Sequence, residues 1–146
     1  MPITQTLTTS FKVQLLAGAQ NFTASTGDTY KIALYTSSAT LDAATTAYTA
    51  SNEVPTGGGY TAGGNTLSIS QSPTSGGTTA FISFANTSWT GASFTCRGAL
   101  IYNSSSGRGN SAVAVLDFGS DKTVIAGTFT IQFPTADATN AIIRIA

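Results

Sequence analysis

Short runs in which alternate residues are apolar limit most strongly what this chain can fold into. From Tyr30 to Tyr35 the sequence reads YKIALY, so Tyr30, Ile32 and Leu34 recur with a period of two. That period places them on one face of a β-strand. Turn residues precede the run at 26–28 and follow it at 36–38. The pattern predicts a strand with one face against a core.

Similar patterns recur along the rest of the chain, separated by segments rich in Gly, Ser, Asn and Pro. They predict further strands around Tyr48, around Tyr60 and at residues 66–71, 79–84, 93–103, 112–118, 128–133 and 141–145. Gly98 interrupts one of these runs, which indicates a bulge or the close approach of another backbone. Residues 51–64 are predicted to be a mobile surface loop, and residues 103–110 the tip of a hairpin.

One segment near the start has a helical period instead. Leu7, Phe11 and Leu15 are spaced four apart, which predicts at least two turns of helix. Ser10 is a candidate N-cap, and Gly18 is suited to the left-handed conformation that ends a helix. A helix this short is marginal alone in water, so we expect it to dock on its own sheet or on a neighbour.

These elements predict a mainly β protein: an antiparallel β-sandwich or jelly roll with one short N-terminal helix. A chain of 146 residues fits a single domain, here 1–146, in which residues 1–20 form an N-terminal segment carrying the helix. The sequence shows no internal repeat and no second domain.

Ionisable side chains are scarce. There are six Lys and Arg, six Asp and Glu and no His, whereas Thr alone occurs 26 times. The charged fraction of 8% is about a third of the usual ~25%. Most hydrolytic, metal-dependent and acid/base enzymes depend on these absent or scarce residue types. We therefore expect that the protein is not an enzyme and binds no cofactor. A net charge of zero opposes self-association only weakly, which favours a protein that works in an assembly.

Several partner classes are also disfavoured. The six basic residues are scattered, so nucleic-acid binding is not expected. No apolar run approaches the ~20 residues of a membrane span, and no signal-peptide pattern opens the sequence. We therefore expect synthesis in the cytoplasm without export. The lone Cys96 excludes an internal disulfide and is predicted to be a small buried side chain.

Motifs that suggest chemistry are weak. Asp117-Phe118-Gly119 matches the magnesium motif of kinases without its companion motifs. Asp117 and Asp121 are candidate Ca²⁺ ligands, but we favour hydrogen bonds from turn amides to both. No pair of acids is selected for glycoside hydrolysis, and no nucleophile motif occurs. Trp89 is predicted to pack at the end of the core, in preference to a surface platform for sugars.

Four strings carry a resemblance to a known family: GDTYKIALYTSSATL (27–41), GALIYN (98–103), AVAVLDFG (112–119) and AIIRIA (141–146). With the helical segment at 11–16, they make the chain similar to small virion structural proteins of tailed bacteriophages along essentially its whole length. The resemblance implies a particle component, and most closely a capsid decoration, or cement, protein. Such a protein binds the phage major capsid protein on the outer surface of the head, usually as a homotrimer.

Two alternatives stay open. One is a tail or fibre component that binds a host surface glycan through Trp89, Tyr48, Tyr60 and the 51–64 loop. The other is a β-sandwich depolymerase, which the lack of His and of a marked acid pair disfavours. The sequence itself assigns no catalytic, cofactor, metal or partner-binding residue.

Overall fold

The computed structural model describes residues 2–146, which form two antiparallel sheets and one short helix. The predicted mainly β fold with one N-terminal helix is confirmed, and its architecture is that of a β-sandwich. The elements are β1 (Thr6–Leu7), α1 (Thr9–Leu16), β2 (Tyr30–Tyr35), β3 (Asn65–Leu67), β4 (Ile69–Gly76), β5 (Thr79–Phe84), β6 (Thr87–Asn103), β7 (Ser111–Ile131) and β8 (Ile143–Ile145).

The larger sheet has the strand order β1-β7-β6-β2-β3, and the smaller has the order β4-β5-β8. The main core includes Ile32, Leu34 and Ile101 of the larger sheet together with Ile82 and Ile143 of the smaller one. A second apolar cluster contains Leu100 and Tyr102, which alternate with the residues of the main core along β6. Part of the larger sheet is therefore buried on both faces, because successive side chains point to opposite sides.

Both ends of α1 have residues that suit a helix terminus. Thr8, and not the predicted Ser10, is the N-cap: its hydroxyl accepts a hydrogen bond from the Phe11 N–H at 3.2 Å. Gly18 has a φ of 72°, so the predicted left-handed end is confirmed. Phe11 is fully buried, and the helix docks on its own core through this residue. Leu7 precedes the helix and lies in β1.

Strands β6 and β7 are longer than predicted, with 17 and 21 residues. The strands predicted at 112–118 and 128–133 are one strand, which corrects that division. Phe118 to Asp121 form a bulge opposite the single residue Arg97, between the pairs Gly98↔Asp117 and Cys96↔Lys122. Gly119 has a φ of 81° within this bulge. The bulge absorbs turn-forming residues without ending the strand.

Neither segment around Tyr48 or Tyr60 is a strand, which corrects both predictions. They form only the isolated bridges Ala47↔Ser111 and Gly57↔Tyr60. Gly57, Gly58 and Gly59 all have positive φ, which regular strand pairing does not accommodate. The segment predicted at 66–71 is divided between β3 and β4 at Ser68, and β6 already begins at Thr87.

Residues 47–64, here called the strap, lie against the larger sheet. Val54 donates to the Leu34 carbonyl at 2.9 Å, and Ser93 donates to the Gly58 carbonyl at 2.8 Å. Glu53, Val54 and Tyr60 are buried. Residues 51–64 form no strand and most of them are exposed, so the predicted surface loop is confirmed, except that these three residues are buried against the rest of the protein. A glycine here permits close packing of the strap on β2, because a Cβ on Gly64 would overlap the Ile32 carbonyl oxygen.

Two smaller predictions are confirmed. Residues 103–110 form the tip of the β6–β7 hairpin. Gly98 lies both at a bulge and at a close approach, since a Cβ there would come within 2.5 Å of the Leu116 carbonyl oxygen.

Candidate interaction surfaces

The larger sheet divides into two halves along the β6–β7 hairpin. The covered half comprises residues 98–103 and 111–117 with β1 and β2, and the bare half comprises residues 87–97 and 118–131. Over the covered half, buried side chains of the N-terminal segment and of the loop after β2 pack on the outer face, namely Ile3, Ala39 and Leu41. This layer ends at the covered half. The bare half is therefore the part of the sheet that is open to a partner.

The inner face of the bare half carries a row of aromatic rings. Trp89 lies 6.0 Å from Tyr60 and 6.4 Å from Phe94 between ring centroids. Phe129 lies 5.4 Å from Phe94 and 6.1 Å from Phe118. The row runs from buried Tyr60 to half-buried Phe118. Aromatic surface thus reaches solvent at the bulge of β7.

The outer face of the bare half carries exposed hydroxyl side chains. Two cross-strand pairs join β6 to β7: Ser88 to Thr130 at 2.8 Å and Thr95 to Thr123 at 2.9 Å between hydroxyl oxygens. All four residues are exposed. Alternation of apolar and hydroxyl residues is the pattern of a sheet with one face in water.

The edge of β7 that faces away from β6 has a partner strand along only part of its length. β1 pairs only with Ala114 and Val115, and the Gln5 side chain accepts a hydrogen bond from the Asp117 N–H at 3.1 Å. Past Asp117, no other strand of residues 2–146 pairs with this edge. Unpaired edge strands are templates for another strand.

An open depression of about 560 Å³ lies beside this edge. Its apolar lining comes from Phe118, Phe129 and Ile131, and Asp121 and Lys122 lie at the same site. Ile125, on the same strand, is 81% exposed. The edge therefore combines a cavity with a projecting apolar side chain.

A second open surface involves α1. A groove of about 110 Å³ is lined only by apolar residues, from α1, the smaller sheet and the segments next to them. These are Phe11, Leu15, Phe22, Pro73, Ala80, Phe81, Ile82, Ile143 and Ile145. On the helix itself, Leu16 is 91% and Val13 62% exposed. Exposed apolar side chains and apolar grooves are both typical of protein contacts.

Glu53 links three parts of the strap to one another, and one of its partners is bonded to the sheet. Its carboxylate accepts hydrogen bonds from the Tyr48 hydroxyl at 2.6 Å, the Tyr60 hydroxyl at 2.5 Å and the Gly63 N–H at 2.7 Å. The Tyr60 oxygen in turn accepts from the Leu34 N–H at 2.9 Å. Burial, and then the bond to Glu53, raises the pKa of Tyr60 far above its ordinary value. The cluster is a structural fastening, because every one of these groups is already paired.

Sequence reasoning did not single out Glu53, which it treated as one of six acids. A usable signal was present, because Glu53 is the only acid between Asp42 and Asp117 and lies between two tyrosines. A buried carboxylate needs several donors, and phenol hydroxyls can supply them.

A second polar network holds the hairpin tip. Asn103 is fully buried and donates to Gln20 Oε1 at 3.0 Å and to Asp28 Oδ2 at 2.9 Å. Arg108 forms an ion pair with Asp28, with Nε 3.1 Å from Oδ2. The Tyr30 hydroxyl also donates to Gln20 Oε1, at 3.0 Å. The donors and acceptors named here are paired with one another within the fold, so the network has a structural role.

The residues named for glycan contact are separated or buried. Trp89 and Tyr60 are adjacent but only 4% and 1% exposed, so the predicted packing of Trp89 in the core is confirmed. Tyr48 stacks on Tyr102 with ring centroids 4.8 Å apart. The structure does not assemble these three side chains into an exposed platform.

The candidate Ca²⁺ ligands are not assembled into a site either. Asp117 Oδ1 accepts from the Gly119 N–H at 2.9 Å and pairs with Arg97 at 3.3 Å. Both contacts, the amide more strongly, lower the pKa of Asp117. Asp121 is exposed on the bulge of β7, not in a turn after a strand. Across residues 2–146, no group of three Cys, Asp or Glu side chains is placed to hold a metal ion.

Cys96 is fully buried, as predicted. Burial, with a smaller contribution from Asp121, raises the pKa of its thiol to about 12. The thiol is therefore protonated and shielded at neutral pH.

The one helix in the described part of the chain is not long enough to cross a membrane. Comparisons of the sequence with protein-family models and curated proteins, and of the fold with solved structures, find no match.

Proposed function

We propose that the protein is a structural component of a bacteriophage virion, and that it acts as a decoration protein on the outer surface of the head. The string resemblance supports the virion class. The structural observations that carry the proposal are the exposed apolar side chains Leu16 and Val13 of α1 and the apolar groove that Phe11 and Leu15 of the same helix help to line. The proposed partner of this surface is the phage major capsid protein.

Such a protein would act through burial of surface, with no catalytic step and no cofactor. Its charged fraction of 8% leaves few charges to desolvate at a contact. Each Å² of apolar surface removed from water contributes about 25 cal/mol. A contact that joins neighbouring capsid subunits would oppose their separation under internal pressure.

The copy number per particle tests the role. A shell-wide decoration protein is present in numbers similar to those of the major capsid protein, which quantitative mass spectrometry of purified virions measures. A handful of copies would rule out this role, as would absence from mature particles.

Binding to heads tests the surface. We expect purified protein to bind empty heads. Leu16→Asp should reduce that binding by roughly tenfold or more, because a charge replaces an exposed apolar side chain that the proposed contact would bury. Ser51→Asp, which adds the same charge to an exposed position of the strap, is the matched control. Equal binding by both variants would exclude α1 as the contact.

Adsorption to host cells distinguishes the alternative role in a tail or fibre. The decoration role predicts binding to heads and none to cells. Binding to cells that free glycan inhibits would favour the tail role. Trp89 and Tyr60, two of the residues named for glycan contact together with Tyr48 and the 51–64 loop, are buried, so the structure adds no support to that alternative.

A further inference from the structure

The open depression beside the edge of β7 is lined by apolar and polar side chains together. Three of its lining residues are apolar, two of them aromatic, and five are polar: Asp121, Lys122, Thr123, Thr130 and Gln132. Its volume of about 560 Å³ lies within the ~300–1,000 Å³ that is typical of small-molecule sites. We propose that this depression binds a short, uncharged oligosaccharide.

Two aromatic rings supply a surface for stacking. Phe118 and Phe129 are both half-buried, with ring centroids 6.1 Å apart and ring planes inclined at 58°. The faces of aromatic rings carry partial negative charge. Pyranose rings present C–H groups on their flat sides, so they stack on such faces. Both rings keep part of their surface open to a ligand, whereas neighbouring Trp89 is only 4% exposed.

The polar side chains have hydrogen-bonding capacity that the fold does not use. Neither Asp121 nor Lys122 takes part in the two ion pairs found among residues 2–146. Gln132 is exposed beside them. A carboxylate only accepts hydrogen bonds, an ammonium group only donates them, and an amide does both. A sugar hydroxyl donates and accepts, so hydroxyls on one ligand can match all three groups.

The charges at the depression favour a ligand without net charge. Asp121 and Lys122 are adjacent, exposed and opposite in sign, so the lining has no net charge. A polyanion needs clustered basic residues. A purely apolar ligand would remove both charges from water without replacing their hydrogen bonds. A neutral polyhydroxyl ligand avoids both costs.

The backbone of β7 disfavours an extended peptide as the ligand. Residues 118–121 form one bulge, and the pairing with β6 is irregular again between Val124 and Gly127, where Ala126 has a φ of 45°. A peptide that adds to a sheet is held by main-chain hydrogen bonds along a regular edge. Bulges interrupt such an edge. The ligand is therefore held mainly by side chains.

The inference does not depend on the proposed virion role. A single open site predicts a dissociation constant in the millimolar range, so purified protein at micromolar concentration would not adsorb to cells through this site alone. The adsorption test described above and the titration described below therefore have separate outcomes.

Titration of the full chain with oligosaccharides, followed by two-dimensional amide NMR spectra, tests the site. The probes are cellotetraose, maltotetraose, mannotetraose and chitotetraose, which differ in linkage and substituents. We expect at least one of them to shift the amide signals of residues 118–123 and 129–132 with a millimolar dissociation constant. Absence of binding by every probe, or shifts confined to other parts of the chain, would overturn the proposal.

Three variants complete the experiment. Phe118→Leu removes the ring but keeps an apolar side chain, and should raise the dissociation constant roughly fivefold. Lys122→Ala removes a donor at an exposed position and should raise it roughly threefold. Lys12→Ala makes the same change at an exposed position on α1 and should leave it unchanged. The spectrum of each variant without ligand checks its fold. Equal affinity in the wild type and both site variants would overturn the proposal.

Discussion

The covered and bare halves of the larger sheet are built from the same two strands, yet they are buried in different ways. In the covered half, Ala99 and Ile101 face the main core while Leu100 and Tyr102 face the outer layer, and all four are buried. In the bare half, Trp89 and Cys96 face inwards, and the residues between them on the outer face are hydroxyl-bearing and exposed or only partly buried. The same hairpin is therefore buried on both faces in the covered half and on only one face in the bare half.

The difference shows that the pattern of apolar and polar residues along a strand indicates whether one or both of its faces are covered. Continuous apolar residues at 99–102 mark a segment with a layer on each side. Strict alternation at Ser88, Trp89 and Thr90 marks one layer and one open face. The open face and the unpaired edge of β7 both lie in the bare half. Exposed hydroxyl side chains and unpaired backbone groups are therefore found at the same end of the sheet.

The largest expected effect tests the two-layer burial. Leu100→Ala should lower the free energy of unfolding by about 3 kcal/mol, because Leu100 is fully buried and a cavity would remain. Thr90→Ala in the bare half should change it by less than about 0.5 kcal/mol, since Thr90 is exposed. Urea titration followed by circular dichroism measures both. Similar losses would mean that the halves do not differ in packing.

A second test addresses the strap that lies against the sheet. Glu53→Gln replaces the acceptor of three hydrogen bonds by a group with one fewer acceptor oxygen, so at least one donor loses its partner. We expect a loss of about 2 kcal/mol in unfolding free energy. Ser51→Ala, at an exposed position nearby, is the control and should have no measurable effect. Wild-type stability in the Glu53 variant would show that the hydrogen bonds to Glu53 do not contribute to holding the strap in place.

Alkaline pH gives a third test, because none of the five tyrosines lies on a strand of the bare half. Burial, and then the charge of Glu53, raises the pKa of Tyr102 from 10.0 to about 12. The folded state holds this proton more tightly than the unfolded state. Its contribution is therefore complete below pH 10 and is lost as the pH rises towards 12.

Comparison with Tyr102→Phe isolates this contribution. Between pH 9 and pH 11, wild type should lose roughly 1 kcal/mol more unfolding free energy than the variant, since one pKa unit corresponds to about 1.4 kcal/mol. Thermal unfolding at each pH measures the difference. Parallel loss in the two proteins would show that Tyr102 ionises as easily in the folded state as in the unfolded chain.

The smallest expected effect concerns the hydroxyl array. Thr95→Val removes the hydrogen bond to Thr123 but retains the β-branched shape, so the unfolding free energy should change by no more than about 0.5 kcal/mol. A loss comparable to that of Leu100→Ala would show that the outer hydroxyls, like the buried residues, hold the hairpin together.

Local pattern predicted much of this fold, but it could not predict which turn-forming residues end a strand. β2 and β5 are found where alternation places them, and Trp89 and Cys96 are buried as expected. Gly119 and Ser120 resemble a turn, yet they lie in a bulge because β6 continues to pair on both sides of them. Such pairing depends on residues some twenty positions away, which the local pattern does not contain.

The interaction surfaces were harder to predict for a similar reason. Leu16 has the same residue type as buried Leu100, and only the tertiary fold determines that one is exposed. The edge of β7 is free because β1 is two residues long, which periodicity does not show. Glu53 was overlooked because its donors Tyr48 and Tyr60 come from segments predicted as strands.

The close approach of the strap glycines affects where this protein would tolerate a foreign peptide. A Gly-rich stretch is an obvious choice for inserting an epitope, but a Cβ at Gly58 or Gly64 would already overlap a carbonyl oxygen of a neighbouring strand. The β4–β5 turn at Gly77, where nothing lies within 4 Å of an added Cβ, is the more permissive site. For display engineering, free volume around the backbone is a better guide than glycine content.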